Sequence, residues 1–422
     1  MSRPIVSTLI LSTMMALLCA GSCWWGWHVS LFKFWDHAAQ DWAQNQFQTE
    51  AIEETPLVYV KIGDIADQPW PWPSLDYAIL AHSLSRFHPK VVVFEVPVPK
   101  VEPSTTAYDI QLKNQLKRLN LLILSVPVRT TGITLGEELS PRPFATLPEN
   151  PSIPAYGSGI WPLNEIREVS RLHLQAYPAD PDGLVRRIPL IINYQGRSTA
   201  SQVLAAYAAY RGADIAASGV VLGQSIRLKN KAGEFLESIP VNHNGELTLK
   251  LRRDSTHLRK EVEFYSVILA AEEQYHAGSP SFDLGVLRQS LVLVGRENAY
   301  SVESLPTPTG TITPARLQLN ALSNLIQRDY LQPITPLAMS LLLLLSAFTG
   351  IGCSRLLNAV GGLIVLLFVG GLLVGGSVVF FVHWNFLIDP SAPLVCLVVS
   401  WWMGRTLLPY FELVISPEAD SI

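Results

Sequence analysis

The sequence predicts an α/β extracytoplasmic domain with a β-rich insertion, together with four transmembrane α-helices, one N-terminal and three C-terminal. The 422 residues are 49% hydrophobic and only 16% charged, against about 25% charged in soluble domains. The apolar residues are also concentrated. From Leu337 to Met403 the only charged residues are Arg355 and Asp389, a pattern typical of membrane-spanning helices.

Four apolar runs approach or exceed the roughly 20 residues that cross a bilayer. They are Ile5–Gly26, Leu337–Cys353, Leu356–Val382 and Phe386–Met403. The first run is followed by Trp24, Trp25 and Trp27, which resemble an interfacial aromatic belt. We therefore expect a retained anchor, with a cleaved signal peptide as the alternative.

Positive charges in the short loops predict the orientation. Arg3, Arg355 and Arg405 flank spans on one side, whereas the loop His383–Pro390 has no Lys or Arg. The positive-inside rule then predicts a multi-pass protein of the inner membrane with both termini in the cytoplasm. The expected organisation is an anchor at 1–27, an extracytoplasmic domain at 28–335, three helices at 336–404 and a short tail at 405–422.

The first half of the outer domain alternates strand and helix patterns after a helical segment at 28–50. The predicted elements are a strand Leu57–Ile62, a helix Ser74–His88 capped by Ser74, a strand Val91–Val96, a helix Thr106–Leu119 and a strand Leu121–Val126. Such alternation with short links predicts a parallel sheet with helices packed on it.

The second half is richer in strands and turns. Pro178–Gly183 and Asn242–Gly245 carry strong turn signals, which separate short extended runs. The predicted elements are strands at 172–177, 187–194, 246–251 and 290–294, and helices at 200–212, 265–275 and 314–328.

Candidate binding residues follow the predicted parallel strands. Asp64 follows one predicted strand and Glu95 lies at the end of the next. The carboxyl ends of neighbouring parallel strands form the edge where open α/β sheets bind ligands. Two carboxylates there would suit a cation or a cationic ligand, and a solvated rim is the alternative. Trp70 and Trp72 of the WPWP turn either face a ligand or cap the core. Thr307 is expected in a loop at the same edge.

The run D-x-D-G-x-x-R-R contains Asp180, Asp182, Arg186 and Arg187. The aspartates resemble the start of a calcium loop, but the rest of that pattern is missing. The favoured interpretation is a turn whose arginines pair with carboxylates; phosphate binding is the alternative.

Gly371 and Gly375 form a G-x-x-x-G face in the second C-terminal span, which permits close helix packing. The alternatives are packing inside the chain's own bundle, a homo-oligomer and contact with a partner.

Several classes of function find no support in the pattern. The four cysteines lie in or beside the spans, so the outer domain is not a disulfide scaffold. The nine histidines show no metal-ligand spacing, and no nucleophile elbow or basic patch is present. We expect a protein that is not an enzyme, with no cofactor, no metal site and no nucleic-acid partner.

Several motifs together resemble the type-2 CHASE domain, an extracytoplasmic sensory module of bacteria. They are the WPWP turn, the run Asp180–Arg187, Leu291–Gly295, Thr307-Pro308 and Asn320–Leu322. The resemblance covers about residues 30 to 330. It implies one membrane helix before the domain and often three after it.

The resemblance also implies an output domain after the last membrane helix, such as a kinase or a cyclase. The 19 residues from Gly404 to Ile422 are too few for one. We therefore expect a sensor that binds a small ligand or an envelope partner and signals through a separate kinase, cyclase or regulator. A structural envelope scaffold or assembly subunit is the alternative.

Overall fold

The computed structural model describes residues 3–47, 56–63, 73–95, 106–129, 152–162, 164–252, 260–276, 283–297 and 304–415. The described residues fall into two compact units. One comprises residues 1–49 and 331–422, and the other comprises residues 50–330. Each unit has its own hydrophobic core.

The helices, in chain order, are α1 (Arg3–His28), α2 (Lys33–Gln46), α3 (Ser74–Arg86), α4 (Thr106–Leu116), α5 (Asn164–Arg167), α6 (Gln202–Arg211), α7 (Phe264–His276), α8 (Pro314–Gln327), α9 (Pro336–Leu356), α10 (Ala359–Trp384) and α11 (Ser391–Ile415). A short 3-10 helix spans Leu284–Leu287.

The strands are β1 (Leu57–Ile62), β2 (Val91–Phe94), β3 (Leu122–Arg129), β4 (Ala155–Tyr156), β5 (Ser158–Gly159), β6 (Arg171–Gln175), β7 (Arg187–Pro189), β8 (Ile191–Tyr194), β9 (Arg197–Ala200), β10 (Asp214–Val221), β11 (Ser225–Lys229), β12 (Phe235–Pro240), β13 (Glu246–Thr248), β14 (Lys260–Glu263), β15 (Leu291–Arg296), β16 (Leu305–Thr307), β17 (Gly310–Ile312), β18 (Gln332–Pro333) and β19 (Phe386–Leu387).

The unit at 50–330 is organised by a parallel sheet with the order β14-β1-β15-β2-β3-β6, and β5 adds antiparallel pairing to the end of β3. The central strands β1, β2 and β15 are buried almost throughout. Strands covered on both faces need apolar side chains at every position. This explains why these strands read as continuous apolar runs.

Side chains alternate between the two faces of the sheet, as strand geometry requires. Tyr59, Val93 and Leu293 share a core with residues of α6 and α8. Val60 and Phe94 belong to a second core with residues of α3, α4 and α7. The result is a sheet between two helical layers.

The predicted β-rich insertion consists of small antiparallel pairings between β6 and α7. Strands β10, β11 and β12 form one sheet, β7 pairs with β13, and β8 pairs with β9. Both predicted turns form. The Gly183 N–H donates to the Asp180 carbonyl at 2.8 Å and the Gly245 N–H to the Asn242 carbonyl at 3.0 Å, with positive φ at both glycines.

One local prediction was wrong. Ser74 does not cap α3, because Pro73 occupies the N-cap position, and the Ser74 hydroxyl instead donates to Asp109 at 2.6 Å. The helical segment predicted at 28–50 is confirmed over Lys33–Gln46, which form α2. Residues 29–32 form turns with a positive φ at Ser30, and α2 begins at Lys33.

Among the described residues of the other unit, four helices are long and apolar enough to cross a membrane: Thr8–His28, Pro336–Leu356, Ala359–Trp384 and Ser391–Phe411. Residues of α1, α9 and α11 share one core. Gly350 permits close approach of α9 to α11, because a Cβ there would meet the Leu397 carbonyl. The last helix continues past Met403 to Ile415, so the predicted tail begins as helix.

Candidate functional site

Three segments bring polar residues to the carboxyl edge of the parallel sheet. Glu95 directly follows β2, Arg296 ends β15 and Gln175 ends β6. The backbone N–H of Glu95 donates to the Val294 carbonyl at 2.9 Å, which extends the pairing of β2 with β15. The sheet register therefore fixes where the Glu95 side chain begins.

Glu95 is only 6% exposed, so the alternative of a solvated rim does not hold for this carboxyl group. Burial raises its pKa to about 7, although three interactions with the charged form oppose that shift. These are a hydrogen bond from Gln175 Nε2 at 3.1 Å, one from the Arg296 backbone N–H, and the positive charge of Arg296. Because desolvation outweighs them, Glu95 is an acid that changes protonation near neutral pH.

Three buried glutamines extend this polar cluster. Gln175, Gln202 and Gln318 line a cavity of about 10 Å³, which is the lower limit of the space that holds one water. Their Nε2 groups donate, in the same order, to the Glu95 carboxylate, the Phe94 carbonyl and the Tyr177 hydroxyl. Within the described residues, their Oε1 atoms have no hydrogen-bond partner. The cluster thus offers acceptors for a group that carries hydrogen-bond donors.

The charged residues farther along the edge are mutually paired. Lys61 lies 2.9 Å from Glu263 and 3.8 Å from Glu261. Arg316 contacts Glu261 at 3.3 Å and also binds Glu297. The charges in these ion pairs neutralise one another. Glu95 differs from these acidic residues because it is buried and its side chain accepts a hydrogen bond from an amide group.

The other predicted site residues divide into two groups. Asp64, Trp70 and Trp72 lie outside the described residues. Thr307 belongs to the hairpin of β16 and β17 rather than to a loop, and its hydroxyl donates to the Gly310 carbonyl. That contact indicates a local role for Thr307 in the hairpin turn.

The aspartate and arginine motif forms a buried ion-pair clasp. Arg186 Nη1 donates to Asp180 at 2.8 Å and its Nη2 donates to Asp182 at 2.7 Å. Arg187 also binds Asp180, and it lies 3.5 Å from Glu246. The prediction that this segment is a turn with carboxylate-paired arginines is confirmed.

A pair of acidic residues, Asp36 and Asp389, lies in the helical unit. Asp389 accepts hydrogen bonds from Trp27 Nε1 at 2.9 Å and Gln40 Nε2 at 3.1 Å. Asp36 accepts the Ser391 backbone N–H at 3.1 Å, which satisfies a free donor at the start of α11. Burial and then the charge of Asp389 raise the pKa of Asp36 to about 6. These contacts tie α1 and α2 to the loop before α11.

Sequence reasoning found Glu95 but missed its partners. A glutamine at a strand end matches no motif, and Arg296 gives no signal until the pairing of β15 with β2 is known. The acidic pair was also missed. The sole sequence signal for it is an aspartate inside an otherwise apolar region, which is rare near membrane spans.

Comparison with known proteins agrees with the fold and the motifs. No curated protein and no solved structure matches the chain. Residues 12–353 match the CHASE2 domain, a family of extracellular sensory domains. The match begins within α1 and ends within α9, so it includes parts of two candidate membrane spans. The chain therefore belongs to the CHASE2 domain family.

Proposed function

We propose that this chain is a bacterial membrane-bound sensory protein that binds a small ligand or an envelope partner at the Glu95 edge. It relays binding through its membrane helices to a separate output protein. The observation that carries the proposal is the buried Glu95 cluster at the carboxyl edge of a parallel sheet, within a sensory-domain family. It is a binding function, with no catalytic role assigned to Glu95.

The chemistry of the cluster favours a ligand with hydrogen-bond donors or a positive charge. The amide oxygens accept hydrogen bonds, and Glu95 gains a full negative charge when it ionises. A cationic ligand would stabilise the ionised form and lower the Glu95 pKa. Binding would shift the protein between states only through a preference for one of them.

The arrangement of charges supports an orientation with both termini in the cytoplasm of the inner membrane. Arg405 Nη1 donates to the Leu357 carbonyl at 3.2 Å, so this arginine lies at the end of the bundle where α9 finishes beside Arg355. Asp36 and Asp389 lie together near the start of α11. The position of the arginines at one end of the bundle follows the positive-inside pattern.

The glycine face of α10 supports a contact with another chain. Among the described residues, no atom lies within 4 Å of a Cβ placed on Gly371 or Gly375, whereas Gly370 approaches Leu394 and Gly362 approaches Trp401. Packing inside the bundle therefore uses other glycines. The Gly371/Gly375 face suits a helix of the output protein or a second copy in a homo-oligomer.

Photo-crosslinking in native membranes tests this proposal. A photoreactive residue replaces Gly371 in the tagged full chain, and the control replaces Phe380, which is exposed on the opposite side of α10. The expected result is a crosslink from position 371, absent from position 380, to a protein with a cytoplasmic output domain. We expect Glu95→Leu to change its yield.

Recovery of envelope proteins alone, with a yield that Glu95→Leu leaves unchanged, would contradict signalling. That result would favour the scaffold alternative. Recovery of only a second copy would identify a homo-oligomer. It would then contradict the proposal that the glycine face of α10 contacts a separate output protein.

A further inference from the structure

A cleft of about 580 Å³ lies between α1 and α9 in the helical unit. Its volume falls within the range of small-molecule sites, about 300–1,000 Å³. Both helices are candidate membrane spans, and exposed residues of both line the cleft, so in a membrane the cleft would open toward lipid. The lining residues are Thr8, Leu9, Ser12, Thr13, Phe348, Ile351, Gly352 and Arg355.

The lining has two chemically different parts. Leu9, Phe348 and Ile351 supply an apolar wall, and the first two remain 60% and 46% exposed. Thr8, Ser12 and Arg355 add hydroxyl groups and a positive charge where α1 starts and α9 ends. An apolar wall that finishes at an arginine matches an amphiphile with an anionic head.

Gly352 keeps the cleft open. Among the described residues, no atom lies within 4 Å of a Cβ placed there, so a larger side chain would extend into the space. The glycine is not required for packing of α9 against α11, because Gly350 makes that close approach.

We propose that this cleft binds one anionic phospholipid. An acyl chain lies along the apolar wall, and the phosphate group accepts hydrogen bonds from Arg355 and the hydroxyls of Thr8 and Ser12. Arginine binds phosphate through paired N–H groups, and basic pockets between membrane helices bind anionic headgroups. The proposal does not depend on the sensory function.

The extent of the cleft favours a lipid over another helix. It involves residues 8–13 of α1 and 348–355 of α9, about 9–12 Å of helix at 1.5 Å per residue. That length suits a headgroup and the first part of an acyl chain. A partner helix that crosses the bilayer would be expected to need a longer contact stripe.

Native mass spectrometry of the full chain in detergent tests the proposal, with phosphatidylglycerol and phosphatidylcholine as probes. We expect one tightly bound phosphatidylglycerol, preferred over phosphatidylcholine by about fivefold or more. Arg355→Gln is expected to remove the preference, and Gly352→Leu to weaken binding of either lipid. The controls are Arg405→Gln, which removes a charge outside the cleft, and Gly21→Leu, which fills open space elsewhere on α1.

Equal affinity of the wild type for the two lipids would overturn the proposal. So would an equal loss of phosphatidylglycerol binding in Arg355→Gln and Arg405→Gln, since that would indicate only general surface charge. A dimer that Gly352→Leu dissociates would show that a second copy occupies the cleft instead. If Gly352→Leu fails to fold, the comparison of Arg355→Gln with Arg405→Gln still shows whether phosphatidylglycerol binds at the cleft or through general surface charge.

Discussion

Replacement of Arg186 by alanine is expected to destabilise the unit at 50–330 by about 3–5 kcal/mol, the usual cost of removing one partner from a buried ion pair. Arg186 is 4% exposed and binds both Asp180 and Asp182. Its loss would leave the buried Asp180 with Arg187 as its remaining ion-pair partner among the described residues. The clasp is therefore a requirement of the fold rather than a ligand site.

Thermal unfolding of the full chain measures this effect. At about 2–4 °C per kcal/mol for a large domain, the midpoint should fall by roughly 6–20 °C. Arg197→Ala is the matched control, because Arg197 is an exposed arginine in β9 and should change stability by less than about 0.5 kcal/mol. A similar small change for both variants would show that the clasp contributes little.

Gly295→Val is expected to destabilise the same unit by about 1–3 kcal/mol or more through overpacking. A Cβ on Gly295 would lie 2.6 Å from the Ala315 Cβ and 3.2 Å from Tyr59 Cε2. Because β15 and α8 approach so closely there, a larger side chain would force the helix and the sheet apart. The steric contact accounts for the glycine at the end of this strand.

A control and a rescue variant separate steric crowding from the ordinary effects of substitution. Gly63→Val changes a glycine after β1 whose Cβ would meet Glu263 Oε2 at 3.4 Å, an ordinary contact. In the rescue, Ala315→Gly makes room for Gly295→Ala, and the double variant should lose less stability than the sum of the single variants. Simple additivity would show that crowding against Ala315 is not the cause.

Much of the fold was predictable because buried parallel strands leave a strong sequence pattern. Leu57–Ile62 was predicted with the bounds that β1 has, and the helices predicted at 265–275 and 314–328 differ from α7 and α8 by about one residue. Local signals were sufficient at both turns, where glycines adopt positive φ. These features depend on residues that are close together in the chain.

Strand order and the site partners depend on residues that are far apart. The chain inserts β15 between β1 and β2 and places β14 outside β1, which no local pattern specifies. The contact of Gln175 with Glu95 follows from that order, since it joins residues 80 positions apart. The polar residues around Glu95 can therefore be identified only once the order of the strands in the sheet is known.

The measurement that tests the proposed site most directly is the pH dependence of unfolding of the full chain, compared with Glu95→Gln. The pKa of Glu95 is about 7 in the fold against an ordinary 4.5, so the folded state retains the proton over that interval. The raised pKa of Glu95 makes its full contribution to the free energy of unfolding below about pH 4.5. That contribution is lost as pH rises through 7. His173, whose pKa is lowered to about 4, affects both proteins alike.

We therefore expect the two proteins to have similar stability near pH 4.5. As pH rises from 4.5 to about 8, Glu95→Gln should become progressively more stable than the wild type. The reason is that the amide introduced at position 95 does not ionise, whereas the wild-type protein loses stability as Glu95 ionises. A stability difference that stays constant from pH 4.5 to pH 8 would contradict the account, since it would mean that the pKa of Glu95 is the same in the fold as in the unfolded chain.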